Sequence, residues 1–109
     1  MDIKDKQNKY LKSIIAELVI VPHGKEIDGL SSVIKKVLKK LNEQEGIKTF
    51  THDMGTNIEA HDINDLFNAV KEAHEILFIE GFPRVVTTLK IDERRDKPSR
   101  ALGDKIKNL

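Results

Sequence analysis

The stretch Ile47-Lys48-Thr49-Phe50-Thr51-His52-Asp53-Met54-Gly55-Thr56-Asn57-Ile58-Glu59-Ala60 decides the architecture. From Ile47 to Asp53, Ile47, Thr49 and Thr51 alternate with Lys48, Phe50 and His52, the two-residue period of a strand. Met54-Gly55-Thr56 reads as a short turn or bulge, where Gly55 allows a bend or a close approach to the backbone. Thr56 to Ala60 then resumes as a further strand. Two strands therefore stand side by side in the middle of the chain.

On either side the period changes. Before the pair, Leu30, Val33, Ile34, Val37, Leu38 and Leu41 recur at helical spacing, predicting a helix from about Leu30 to Glu45. Asp28 or Ser31 would cap its start and Gly46 suits its end. Lys35, Lys36, Lys39 and Lys40 fall on the opposite side, a solvated helix back. After the pair, Asp62 or His61 opens a second helix with the stripe Ile63, Leu66, Phe67, Val70, Ala73, His74, Leu77 and Phe78. Gly81 closes it and Pro83 stops continuation. Outermost lie two more alternating runs. In Ser13 to Val21, Ile14, Ala16, Leu18 and Ile20 share a face, and Pro22 is expected to end the strand. In Arg84 to Asp92, Val85, Thr87, Leu89 and Ile91 share a face.

The order β-α-β-β-α-β predicts an α+β, ferredoxin-like sandwich: a four-stranded antiparallel sheet with two helices on one face. Residues 1–12 are a polar N-terminal extension, and residues 13–109 form one domain. The helices leave one sheet face bare. Ile15, Val19, Val21 and Val86 on that face call for cover by another copy of the chain.

Composition narrows the function classes. Of the 109 residues, 39% are hydrophobic and 34% charged, as in a soluble globular domain, and 19 Lys+Arg against 18 Asp+Glu leave +1. So even a balance offers no basic field for nucleic acid. Without cysteine there is no disulfide, thiolate nucleophile or Cys-based metal site. The apolar run Ile14 to Val21 is interrupted by Glu17 and falls far short of the ~20 residues of a membrane helix. Together with the absence of a secretory h-region, this points to the cytoplasm.

No nucleophile elbow, phosphate loop, dinucleotide fingerprint or metal-ligand spacing occurs, so neither catalysis nor a cofactor is expected. An acylphosphatase-like enzyme would want an arginine in the loop His23 to Gly29, which has none. RNA binding on this topology would want sheet-face aromatics, and only Phe50 is available. Three places remain. Glu59, on the bare face if Ile58 faces the helices, needs a cationic partner such as Lys90 or an arginine, or a cationic or amino-bearing ligand. Arg94 and Arg95 stand in the mixed-charge run Asp92-Glu93-Arg94-Arg95-Asp96-Lys97, a surface ion-pair loop or a contact between subunits. His74, alone on an apolar stripe, reads as a core histidine with a backbone or carboxylate partner.

Several segments together resemble a known family. They are Val19-Ile20-Val21-Pro22-x-Gly24, Leu30-Ser31, Met54-Gly55-Thr56-x-Ile58-Glu59, Ala69-Val70-Lys71-x-Ala73-His74-Glu75 and Lys90-Ile91-Asp92-Glu93-Arg94-Arg95-Asp96-Lys97-Pro98. The chain from about residue 13 to 108 is similar to the small thiamine-binding proteins related to YkoF. The resemblance implies ferredoxin-like subunits assembled as dimers or tetramers. It also implies non-catalytic binding of thiamine, or its hydroxymethylpyrimidine part, where subunits meet. Carried over by motif, ligand contacts would be Met54, Gly55, Thr56 and Glu59 with Ser31 nearby, and Arg94 and Arg95 would organise the interface. Asp53 stands where the family has proline before the methionine, and Ala60 where it has glycine. The alternative is a regulatory or structural homo-oligomer that binds another metabolite or none.

Overall fold

The computed structural model describes residues 13–26, 29–96, 102–107 and 109. Six elements follow in order: β1 (Ser13–His23), α1 (Leu30–Asn42), β2 (Ile47–His52), β3 (Gly55–Ala60), α2 (Ile63–Ile79) and β4 (Arg84–Arg94). A 3-10 turn, Asp104–Ile106, comes last. The sheet runs β2-β3-β1-β4 with every neighbour antiparallel, and both helices pack on one face. This is the α+β arrangement that the sequence order predicts.

Alternation along the strands builds the core. Ile14, Ala16 and Leu18 of β1 and Ile58 and Ala60 of β3 are buried against Leu41 of α1 and Leu66, Ala69 and Ala73 of α2. A second cluster of Val33, Leu77 and Phe82 closes the far end. The inward seam of α2 is Leu66, Ala69, Ala73 and Leu77, and the two alanines let the helix lie close to the sheet. Phe67 and Phe78, placed on the core stripe by periodicity, turn outward instead and are exposed. Ala69 holds the inward place.

The termini of the elements depart from expectation in instructive ways. Asp62 is the N-cap of α2, its Oδ1 accepting from the Asp65 amide at 2.9 Å. The other end is a Schellman turn: the Gly81 amide donates to the Phe78 carbonyl and the Phe82 amide to the Leu77 carbonyl. Gly81 takes φ of +100°, which only glycine adopts cheaply, and Phe82 packs on Leu77. The cap of α1 is Gly29, in extended conformation, with no side-chain hydrogen bond. Ser31 is therefore not the cap but lies within the first turn, and Asp28 falls outside the described residues. The helix also stops at Asn42, earlier than Glu45. The Gln44 amide closes a tighter last turn onto the Leu41 carbonyl, and the Gln44 side chain satisfies the Lys40 carbonyl.

β1 runs through Pro22 to His23, so the proline does not end it. The reason lies in which edge its missing N–H faces. The run 1–12, read as an extension, lies outside the described residues, as do Lys97 and Pro98. Among the described residues, no helix is long and apolar enough to cross a membrane.

Candidate functional site

Unequal strand lengths create a notch. β1 pairs with β4 along its whole length, from Ser13 opposite Arg94 to His23 opposite Arg84. Against β3 it pairs only from Ile14 to Leu18, where Leu18 meets Thr56. Beyond Leu18 the β3 side of β1 has no strand beside it among the described residues. α1 passes over this gap and the Met54 turn bounds it.

The result is a pocket of about 260 Å³, just below the ~300–1,000 Å³ usual for ligand sites. Its floor is Leu18 to Pro22 of β1. Its roof is Val33, Ile34, Val37 and Leu38 of α1, and its end wall is Thr51 to Thr56. The helix residues were readable as a core stripe, yet Ile34 remains 37% exposed and Val37 and Leu38 are half-buried. Val37 and Leu38 pack against the core and also border this space, whereas Ile34 faces the space alone.

Gly55 makes the end wall possible. A Cβ there would sit 3.0 Å from the Leu18 carbonyl oxygen and 3.1 Å from Val19 Cγ2. Glycine thus lets the turn lie directly against β1. Thr56 is buried on the helix side, its hydroxyl 3.2 Å from that of Thr51. Met54 is among the most exposed side chains and stands at the mouth. His52 ties the turn to the sheet: its Nδ1 accepts from the Met54 amide at 3.3 Å. Its Nε2 lies 3.1 Å from Asn57 Oδ1 and 3.5 Å from Glu17 Oε2. Asp53 adds an exposed carboxylate at the rim.

Of the five ligand contacts implied by resemblance, Met54, Gly55 and Thr56 come together here. Glu59 and Ser31 do not. Glu59 has the opposite parity from Thr56 on β3, so its carboxylate lies on the other side of the sheet. There Oε1 accepts from the Leu102 amide at 3.0 Å and Oε2 lies 3.9 Å from Lys48 Nζ. Among the described residues its partners are therefore neither Lys90 nor an arginine. Ser31 is exposed on α1 and does not line the pocket.

The face without helices is also less bare than alternation suggests. Glu59, Ile15 and Asp92 form one row across three strands. The C-terminal segment is tied to both ends of that row, through Leu102 to Glu59 and through Lys105 to Asp92. Ile15 is half-buried there, whereas Val21 and Val86, at the other end of the face, are about 40% exposed. Arg94 forms a two-pronged pair with Asp96, Nε to Oδ1 at 3.0 Å and Nη2 to Oδ2 at 2.9 Å. Arg95 donates to Glu93 at 2.6 Å. The hydrogen bond and then the charge of each carboxylate hold its guanidinium above the ordinary arginine range.

His74 is not a buried core histidine. It is half-buried, with Nδ1 2.7 Å from the Thr87 hydroxyl and its ring edge-on to Phe78. Among the described residues no three His, Asp or Glu side chains gather as a metal site. Sequence reasoning missed Thr51, His52, Asp53 and the α1 wall as pocket residues. The available signal was the mismatch between the long first alternating run and the short one ending at Ala60.

Comparison with known proteins fits this architecture. A family model described as thiamine-binding protein matches residues 16–109. A UPF0045 protein of Methanothermobacter thermautotrophicus is 44% identical over 99 residues, covering 88% of this chain and 95% of its own. The solved structure of Methanocaldococcus jannaschii MJ1052 is 35% identical with a TM-score of 0.76, covering 90% of this chain and 96% of that one. A Thermotoga maritima protein given a provisional role in thiamine biosynthesis or salvage is 23% identical, with a TM-score of 0.69. It covers 87% of this chain and 96% of its own, a likeness that shows the fold.

Proposed function

The chain belongs to the thiamine-binding protein family, and from that premise we propose that it binds thiamine, or its hydroxymethylpyrimidine part, without turnover. The observation that carries this reading is the pocket at the end of β3. Its apolar walls suit a flat ring, and Met54, Gly55 and Thr56 all border it. The Asp53 carboxylate at the rim is placed to meet a cationic thiazolium outside the ring pocket.

In the same reading, copies of the chain meet on the helix-free sheet face, where Val21 and Val86 remain exposed. The assembly is a dimer or tetramer, with Arg94 and Arg95 exchanging local carboxylates for those of a neighbour. Glu59 serves to hold the C-terminal segment, and Ser31 stands outside the ligand.

The test is a thermal-melt titration with thiamine, its phosphates and hydroxymethylpyrimidine. A ligand that binds only the folded chain adds about 2.7 kcal/mol at a hundredfold excess over Kd. An unmoved Tm with all of them overturns the reading. A second reading, an oligomer whose pocket takes another metabolite or none, draws support from Glu59, whose carboxylate is bonded to its own chain. In that case these ligands leave Tm unchanged while native mass spectrometry still reports more than one subunit.

A further inference from the structure

The floor and roof of the pocket are apolar, and its polar side chains, Thr51, His52, Asp53 and Thr56, are confined to the end wall. The side chains over the ring's faces therefore do not select a polar ring. The backbone does. In an antiparallel strand the N–H and C=O of one residue point to the same side, and the side alternates from residue to residue. The Leu18 carbonyl oxygen points toward Gly55, since a Cβ on Gly55 would reach it at 3.0 Å. Leu18 therefore turns its polar groups to the β3 side, where it faces Thr56. By the same alternation Val19 and Val21 turn theirs toward Thr88 and Val86 of β4, and Ile20 and Pro22 turn theirs toward the gap.

Pro22 supports this parity independently. It sits within β1, opposite Val85, and proline is accepted in a strand only where its missing N–H faces a free edge. That leaves Ile20 presenting one donor and one acceptor, side by side, on an edge that no described strand covers. Ile20 lines the pocket and is half-buried. A main-chain pair in such a place calls for a partner.

We infer that the N–H and C=O of Ile20 form the recognition edge of the pocket. They would read a planar ring that carries an amino group next to a ring nitrogen. The Ile20 N–H donates to the ring nitrogen, and the exocyclic amino group donates to the Ile20 carbonyl. An aminopyrimidine has that edge, so the inference rests on the proposed function and deepens it. It assigns selection of the ring to the main chain of β1, with the helix and turn excluding water around it. Gly55 contributes by keeping the turn close without filling the gap.

Residue-resolved amide exchange on the full chain, read by NMR, tests this with and without thiamine, hydroxymethylpyrimidine and the pyrimidine that lacks the amino group. Without ligand, the Ile20 amide should exchange at least roughly tenfold faster than those of Val19 and Val21. An Ile20 amide as slow as its neighbours overturns the free edge, whatever binds. With saturating thiamine or hydroxymethylpyrimidine, Ile20 should slow roughly tenfold or more, and the compound without the amino group should bind roughly tenfold more weakly. Binding that leaves Ile20 exchange unchanged, or that ignores loss of the amino group, overturns this inference while sparing the proposed function. No binding by any of them overturns the proposed function, and the assignment to a pyrimidine falls with it.

Discussion

The two halves of β1 have similar sequences and opposite fates. Ile14, Ala16 and Leu18 lie between β3 and β4 and are at most 3% exposed. Val19 to His23 keep β4 but lose β3, and there the same alternation of apolar residues lines an opening. A strand flanked on both sides uses its backbone for the ladder and its side chains for the core. A strand flanked on one side has a backbone edge to spare. What converts structure into site is thus the end of a neighbouring strand rather than any special residue in β1.

The largest effect should come from the fully flanked half. Ile58, which faces Ala16 across the ladder, is fully buried, so Ile58→Ala should cost about 2–5 kcal/mol in urea unfolding. A loss under about 1 kcal/mol would mean that this half is not the core.

Next comes the boundary. Gly55→Val places atoms against the Leu18 carbonyl and the Val19 side chain, so the turn must move. About 1–3 kcal/mol of stability should be lost, and the ligand-induced Tm shift should vanish. A full thiamine response in this variant would separate the turn from the ligand.

The half-open region should be more forgiving. Ile34→Ala enlarges a pocket that already exists and removes a side chain that is partly in water. Its cost should stay below about 1 kcal/mol by the same denaturation, well under that of Ile58→Ala. Equal costs at the two positions would erase the contrast between the halves.

The smallest effect belongs to Arg95, whose own side chain stands mostly in water although that of its partner Glu93 is largely covered. Arg95→Ala should leave the urea unfolding midpoint of the isolated chain unchanged. A loss that grows as protein concentration rises, seen by dilution in sedimentation velocity, would instead place Arg95 between copies.

Much of this was legible from local pattern. The two alternating runs around Met54, the helical stripes on each side and the Asp62 and Gly81 signals act over a few residues each, and the fold realises them. Reading failed where distance in sequence mattered. Glu59 is bonded to Leu102, 43 residues on, and no spacing rule joins the two. His74 finds Thr87 because α2 lies over β4. Phe67 and Phe78 sit within a broad stripe whose true inward line is decided by how closely Ala69 and Ala73 allow the helix to approach.

The amino-acid order by itself determined the succession of elements, the burial parity of β1 and β3 and the absence of cysteine chemistry. These follow from side-chain period and backbone preference, which are local. Thr51 of β2 and Ile91 of β4, by contrast, depart from the expected alternation and are exposed. Only the tertiary structure decided that β1 outruns β3 and that the C-terminal segment is tied to Glu59 and Asp92. Those outcomes depend on strand register and on which elements are left without a neighbour, and both arise only when the whole sheet is assembled.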